Sequence, residues 1–596
     1  MTYSAPVADM RFALERVIGF DRIAALPGYE DATPDLVASV LEEAGKFAAG
    51  VLAPINAEGD RKGSKLADGV VTQPESFKAA YKQFVESGWN GVPFDPEFGG
   101  QGLPWALTFA VQEMWQSANM AFGLCPMLNQ GAVELLTEHG NQAQKDTFLP
   151  KMITGEWTGT MDLTEPSAGS DLGAVRTKAV PNGDHYLISG TKIFITYGEH
   201  DQAENIIHLV LARLPDAPAG SKGISLFISP KFLVNADGSL GARNDVLCTG
   251  LEHKLGIMAS PTAVLSYGDK GGAVGYMVGE PGRGLEYMFA MMNNARQSVG
   301  LQGLAIAERA YQQARDYAKT RIQSKDLRNP RGPSVAIINH PDVRRMLLTM
   351  KSQVEAARLL CYETAAARDF AKADPDAAVR AAAQTRIELL TPVVKAWCTD
   401  MGCEVASIGI QVHGGMGFIE ETGAAQHLRD ARIAPIYEGT NGIQANDLVF
   451  RKLGRDQGAA ALAYIAELKA VAAEAASRPG DDLKAISDAL FAGCIVLEQA
   501  TLWMVETLKP DPVAAASGAA AYLRMFGLVT GGGLLARAAI AANDDLRQRG
   551  ADADFLTGKI VTARFYAEQI LPQAAGLLTP ITRGAGTVMA LSEDQF

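Results

Sequence analysis

The period at which apolar residues recur along the chain changes twice, and the changes mark out its organisation. Over residues 34–155 the pattern is helical. Thr33-Pro34 opens a helix, a capping hydroxyl followed by a proline whose φ is already helical, and helix formers fill 36–52. A glycine-rich loop at 94–103 interrupts this region. Between 160 and 284 short β-branched and aromatic runs take over, at 186–189, 192–196, 206–211, 224–228 and 263–267. Turn clusters such as Pro181-Asn-Gly-Asp184 and Asn235-Ala-Asp-Gly238 separate them, and no long helix intervenes, which predicts a compact antiparallel β domain rather than βαβ units. From 285 the helical period returns: Leu304, Ala307, Tyr311, Ala314 and Ala318 draw one apolar stripe. Further helices are predicted over 341–371, 377–408 and 446–453. An alanine-rich helical block with loops at 478–482 and 509–512 runs from about 457 onward. The predicted architecture is α+β: an N-terminal helical domain (1–159), a middle β domain (160–284), a helical bundle (285–455) and an additional C-terminal helical domain (456–596).

Composition narrows the function classes. Of 596 residues, 47% are hydrophobic and 20% charged, which excludes a disordered or fibrous chain. Lys and Arg number 54 against 67 Asp and Glu, and a net charge of −13 disfavours wholesale nucleic-acid binding. The six cysteines (Cys125, Cys248, Cys361, Cys398, Cys403, Cys494) include no CxxC pair and the eight histidines no ligand spacing, so neither a disulfide framework nor a metal site is expected. Asp9, Arg11, Glu15 and Arg16 interrupt any signal-peptide apolar run. The uncharged stretch 114–133 contains Gln116, Asn119, Pro126, Asn129 and Gln130, and reads as a buried helix rather than a membrane span. A cytoplasmic protein with no integral membrane segment is expected.

Three segments carry candidate chemistry, each with a plain structural alternative. Met161-Asp-Leu-Thr-Glu-Pro-Ser-Ala-Gly-Ser-Asp171 offers hydroxyls and unpaired amides suited to an anion or a heteroaromatic edge, or is an ordinary domain-crossing loop. Ile436-Tyr-Glu-Gly-Thr-Asn-Gly-Ile443 puts Glu438 on a glycine-flanked loop among apolar neighbours, where desolvation raises a carboxyl toward general-base range; the alternative is a surface glutamate. Gln411-Val-His-Gly-Gly-Met-Gly-Phe418 is a glycine-rich turn or simply a helix C-cap. No dinucleotide-binding GxGxxG fingerprint is present.

Together these segments, in this order and with the K-x-[FW]-I-T strand at Lys192 to Thr196, resemble the acyl-CoA dehydrogenase family over about residues 35–455. The added C-terminal domain and the P-F-D-P-E-F-G-G-Q-G-L-P loop resemble its large-subunit bacterial branch and, within that, the enzymes acting on 3-methylmercaptopropionyl-CoA. The resemblance implies a barrel-like middle domain, a four-helix bundle, and FAD-dependent dehydrogenation of an acyl-CoA to the trans-2-enoyl-CoA. It assigns Glu438 as catalytic base. It places Met161, Leu163 and Thr164 at the flavin's pyrimidine edge, Phe194 as an aromatic shelf and Thr196 near N5. Arg321 is assigned to the FAD pyrophosphate across a subunit boundary, Gln411, Gly414 and Gly415 to the turn touching the partner's FAD, and Thr440 to the loop beside it. For CoA it implies Ser170 at the pantetheine arm, Asn293 and Arg296 at the adenosine end, and Arg451. Asn441-Gly442 stands where the family usually has S-Q, which predicts a lost side-chain contact.

The resemblance also implies electron-transfer flavoprotein as acceptor and a homodimer, with a homotetramer, a fatty acyl-CoA dehydrogenase of β-oxidation and an oxygen-using acyl-CoA oxidase as the alternatives. A DNA-binding relative is disfavoured: from Arg455 onward 12 basic residues face 16 acidic ones. The acyl pocket is expected along 114–133, with Met114, Met120, Phe122 and Met127.

Overall fold

The structure, a computed structural model, describes residues 3–548, 550 and 552–596. Before the first predicted helix, short helical pieces at Val7–Phe12, Ala13–Ile18 and Phe20–Ala24 pack an N-terminal arm onto the body of the protein. Helix α1 (Pro34–Phe47) begins where Thr33-Pro34 predicts, and Thr33 Oγ1 accepts a hydrogen bond from the Leu36 amide at 3.3 Å. The stretch 114–133 is buried throughout, as its apolar content demands, but it is two helices, α2 (Trp105–Ala118) and α3 (Met120–His139). Asn119 separates them: its extended backbone (φ −160°) ends one helix, and its side chain caps the next by accepting from the Phe122 amide at 3.1 Å. Helix α4 (Gln142–Thr154) completes this group.

The middle region contains strands β1 (Trp157–Asp162), β2 (Lys178–Asn182), β3 (His185–Thr196), β4 (Asn205–Arg213), β5 (Ile224–Pro230), β6 (Val246–Leu251), β7 (Thr262–Tyr267) and β8 (Ala273–Val278). Their order is β6-β7-β3-β8-β5-β4-β1, and β2 bridges β3 to β4, closing a barrel-like ring. Most pairs are antiparallel, as expected. The exceptions are β1 with β4, where Trp157 faces Asn205 and Asp162 faces Val210, and a single bridge between β2 and β4. The long excursion through β2 and β3 lets the chain return in the same direction. The two runs predicted at 186–189 and 192–196 are one strand. Gly190, at φ +154°, lets it cross Thr177, whose Oγ1 would lie 2.5 Å from an added Cβ.

Long helices follow: α5 (Gly284–Thr320), α6 (Pro341–Ala373), α7 (Ala377–His413), the short α8 (Ala424–Ala431) and α9 (Asn441–Asn446), which continues into a π-helical turn, Asp447–Leu453. Helices α10 (Ala459–Ser477), α11 (Asp481–Thr507), α12 (Pro512–Asp545) and α13 (Ala553–Gln569) form the C-terminal block, with breaks at the two predicted loops. By length and composition α11 and α12 could each cross a membrane; the apolar window of α12 is 89% buried inside the protein, and that of α11 44%. Helix α12 owes its apolarity to its central place, where it packs on α7, α10, α11 and α13.

Candidate active site

Glu438 lies on the connection between α8 and α9, with its backbone in the left-handed region (φ +57°) and Gly439 likewise (φ +83°). Two consecutive residues of this kind make a sharp turn, and a non-glycine there is strained by about 1–2 kcal/mol, so the surroundings must hold it. Gln444 Nε2 donates to the carbonyls of Glu438 (3.3 Å) and Gly439 (3.2 Å). Thr440 caps α9, its Oγ1 accepting from the Ile443 amide at 3.3 Å. Glu438 is half-buried, but protein surrounds its carboxyl closely enough for desolvation to dominate. Burial pushes the carboxyl up to about 7, against the opposing pull of Arg296 from α5 and Lys395 from α7.

A cavity of about 750 Å³ reaches Ile443 on α9; Glu438 is not in its lining, and Arg296 links the two, lying in the cavity wall and facing Glu438. The loop after β1 lines it with Ser170 and Asp171, the start of α5 with Phe289 and Arg296, and the α9 region with Asp447 and Arg451. Three residues far apart in sequence and assigned to CoA, Ser170, Arg296 and Arg451, therefore share one wall. Asn293 does not line it; it is exposed on the adjoining stretch of α5, and neighbouring Asn294 turns away to Glu134. The guanidinium carbons of Arg296 and Arg451 each lie 5.9 Å from the centre of the Phe289 ring. Arg296 is buried and its Nε has no hydrogen-bond partner, a donor available to a ligand with acceptor oxygens. Volume, cations and an unspent donor suit a large phosphorylated ligand.

The residues assigned to the flavin fall into two groups. On one side the loop after β1 is docked on β3: the Ile193 amide donates to the Thr164 carbonyl at 2.9 Å, and buried Lys192 donates to the Leu163 carbonyl (3.1 Å) and Glu165 (2.8 Å). This docking sets Leu163 and Thr164 against the strand that carries Phe194 and Thr196, while Met161, two residues earlier on β1, pairs with Leu209 of β4. Phe194 adopts φ +59° and leaves its ring 57% exposed, a flat apolar surface turned away from the core. On the other side α7 ends at His413, and an added Cβ on Gly414 or Gly415 would meet nothing within 4 Å, so the turn borders open space. Exposed Gln411 precedes it, and exposed Arg321 ends α5. An exposed aromatic shelf with hydroxyls beside it, together with open glycine amides and a free-standing guanidinium, is a donor set that fits an FAD.

Sequence reading missed Lys395. The only signal was a single charge inside the apolar run Leu389 to Cys398, and the side chain is wholly buried. Asn441, one of the two residues that depart from the family pattern, is a hub of hydrogen bonds to α7. Its side chain accepts from Lys395 Nζ (2.8 Å) and donates to Ala396 O (3.1 Å), Thr399 Oγ1 (3.0 Å) and Asp400 Oδ1 (2.7 Å). Among the described residues no cluster of side chains is arranged to hold a metal.

Comparison with known proteins agrees with this geometry. The family descriptions "Acyl-CoA dehydrogenase, N-terminal domain", "middle domain" and "C-terminal domain" match residues 37–156, 160–269 and 282–453. "Acetyl-CoA dehydrogenase C-terminal like" matches 464–592. The 3-methylmercaptopropionyl-CoA dehydrogenase of Ruegeria pomeroyi is 47% identical over 99% of this chain and 100% of its own. A butyryl-CoA dehydrogenase of Syntrophomonas wolfei is 36% identical over 100% and 99%. Among solved structures, Caenorhabditis elegans ACDH-11 shares the fold with a TM-score of 0.76 at 22% identity, covering 96% of this chain and 92% of that one. The chain belongs to the acyl-CoA dehydrogenase family, the FAD-dependent oxidoreductases that introduce a double bond between the α and β carbons of an acyl-CoA thioester.

Proposed function

We propose that Glu438 is the base of this dehydrogenation and that the substrate is 3-methylmercaptopropionyl-CoA. The observation that carries the assignment of the base is its setting: a carboxyl lifted to about 7 by burial and faced by Arg296, which also lines the cavity. In water a carboxylate is far too weak to remove the α-proton of a thioester, whereas a desolvated one of matched basicity is suited to it. Glu438 takes the α-proton, and its Oε–H bond forms as the α C–H bond breaks. The electron pair of that bond becomes the new π bond, and the β-hydrogen departs as hydride from the opposite side. FAD, when bound, supplies the two-electron acceptor for that hydride. Met161, Leu163, Thr164, Phe194 and Thr196 would hold the ring, while Arg321, Gln411, Gly414, Gly415 and Thr440 would hold the rest, partly across a subunit boundary. Ser170, Arg296 and Arg451 would grip the CoA, with Asn293 beside its adenosine end.

The thioether substrate is supported by the full-length likeness to the Ruegeria pomeroyi enzyme; Met114, Met120 and Met127 are buried in the core and do not line the cavity. The reading carries further proposals: four units at 1–159, 160–284, 285–455 and 456–596, electron-transfer flavoprotein as acceptor, a homodimer, and the cytoplasm as compartment. The test is anaerobic bleaching of the flavin by 3-methylmercaptopropionyl-CoA beside butyryl-, octanoyl- and palmitoyl-CoA. The thioether substrate is expected to lead in kcat/KM, and a straight chain leading would discard the substrate while keeping the chemistry.

A further inference from the structure

We infer that Lys395 and Asn441 form a clamp that positions the turn carrying Glu438 and holds a cation facing it, making Lys395 a positioning residue for proton abstraction. The inference rests on the reading of Glu438 as the base.

The geometry is specific. Lys395 sits in the middle of α7 among Val393, Val394, Ala396 and Trp397, with no exposed surface. An ammonium there is costly unless something needs it. Its Nζ donates to Asn441 Oδ1, three residues beyond Glu438, while the Asn441 amide group fans out over Ala396, Thr399 and Asp400 of the same helix. The Asn441 main-chain amide also donates to the Pro435 carbonyl at 3.0 Å, three residues before Glu438. The Asn441 side chain thus ties the far end of the strained turn to α7, while its main-chain amide closes the turn onto Pro435. Asparagine suits the place because its carbonyl accepts from the ammonium while its amide nitrogen shares two hydrogens among Ala396 O, Thr399 Oγ1 and Asp400 Oδ1; serine has a single hydrogen to donate.

The charges facing Glu438 are few. From α5 comes Arg296, which lines the cavity and also faces Asp447, with the like charge of Arg451 nearby. From α7 comes Lys395, with Asp400 behind it. The adjacent Tyr437 hydroxyl is engaged with Gln302. Arg296 is divided between Asp447, Glu438 and a prospective ligand, whereas Lys395, which faces Glu438 and Asp400, lies outside the cavity lining and is hydrogen-bonded to the loop that carries Glu438. Burial pushes the lysine down and the glutamate up, and each charge opposes the shift of the other. Removing the ammonium leaves the carboxyl desolvated with less compensation, so the base stays protonated to higher pH.

The experiment is stopped-flow flavin reduction by butyryl-CoA in full-length, FAD-loaded Lys395→Met, Lys395→Arg and Asn441→Ala, with Glu438→Gln alongside, from pH 5.5 to 9. Lys395→Met is expected to move the acidic limb up by about one pH unit or more, a loss of about tenfold at pH 6.5 that largely recovers at pH 8.5. Lys395→Arg is expected to restore the limb. Asn441→Ala is expected to lower the plateau at every pH while the thermal midpoint and FAD content stay close to wild type. If Lys395→Met does not take up FAD, Lys395→Gln replaces it under the same criterion. An acidic limb unmoved in the charge-removing variant overturns the clamp. If Glu438→Gln itself reduces flavin at near wild-type rate, the base assignment has failed first, and the two failures are distinguished.

Discussion

Arg358 of α6 grips Glu113 of α2 with Nε at 3.0 Å and Nη2 at 2.6 Å, and neither side chain is more than 2% exposed. The same guanidinium reaches Glu308 of α5 at 2.7 Å and Asp9 of the N-terminal arm, while Lys559 of α13 pairs with Asp9 and with Glu355 at 3.2 Å. One buried cluster therefore ties the arm, the bundle and the C-terminal block together. Arg358→Met leaves three carboxylates short of a partner, and we expect a loss of about 3–5 kcal/mol, the range for breaking a buried pair from one side. Urea denaturation of the FAD-loaded protein measures it, and a loss below about 1 kcal/mol would show that the cluster contributes little.

The C-terminal block depends on a close approach. An added Cβ on Gly527 of α12 would lie 2.3 Å from Cγ of Trp397, which is buried in α7. Gly527→Ala is expected to cost about 1–3 kcal/mol as the two helices are forced apart. A lowered thermal midpoint, with faster proteolysis confined to residues beyond 456, is the expected result; an unchanged midpoint would mean that the helices reseat freely.

Glu438→Gln keeps the size and hydrogen-bonding capacity of the side chain and removes its basicity. Flavin binding and the spectral change on adding acyl-CoA are expected to survive, while the rate of anaerobic bleaching falls by about 10²–10⁴-fold or more. A variant that retained most of its rate would falsify the assignment.

The pH dependence follows from the same residue. Its carboxyl is raised to about 7, so below that value the base is increasingly protonated. The log of kcat/KM is expected to fall with unit slope as pH drops below about 7, tenfold per pH unit, and to level off above it. A profile flat from pH 5.5 to 8 would contradict burial as the dominant influence on Glu438.

How much of this was legible in the chain varies with the reach of each signal. The cap at Thr33 is a contact three residues long, and it stands where predicted. The break at Asn119 lay inside a correctly predicted buried stretch but was missed, because apolar content measures burial and not continuity. Gly190 joins two predicted runs into one strand for a reason found only in Thr177, on a neighbouring segment. At the site, the glycine-flanked loop made Glu438 only a candidate, and it was the family pattern that singled out Glu438, Ser170, Arg296 and Arg451. The bonds of Asn441 to α7 were not readable from its loop, because its partners lie on a helix more than forty residues away. Lys395 left no readable mark, since a lysine in an apolar helix is informative only once its burial is known.

What the sequence by itself determined is the order of helical and β regions and the identity of the groups able to do chemistry, because periodicity, caps and glycine-flanked loops act over a few residues. The tertiary structure decided how those groups behave. It placed Glu438 where burial raises its carboxyl, set Arg296 and Lys395 against it from two different helices, and built one cavity wall from residues 170, 296 and 451. Desolvation and charge pairing act through space, and only the packed fold sets those distances.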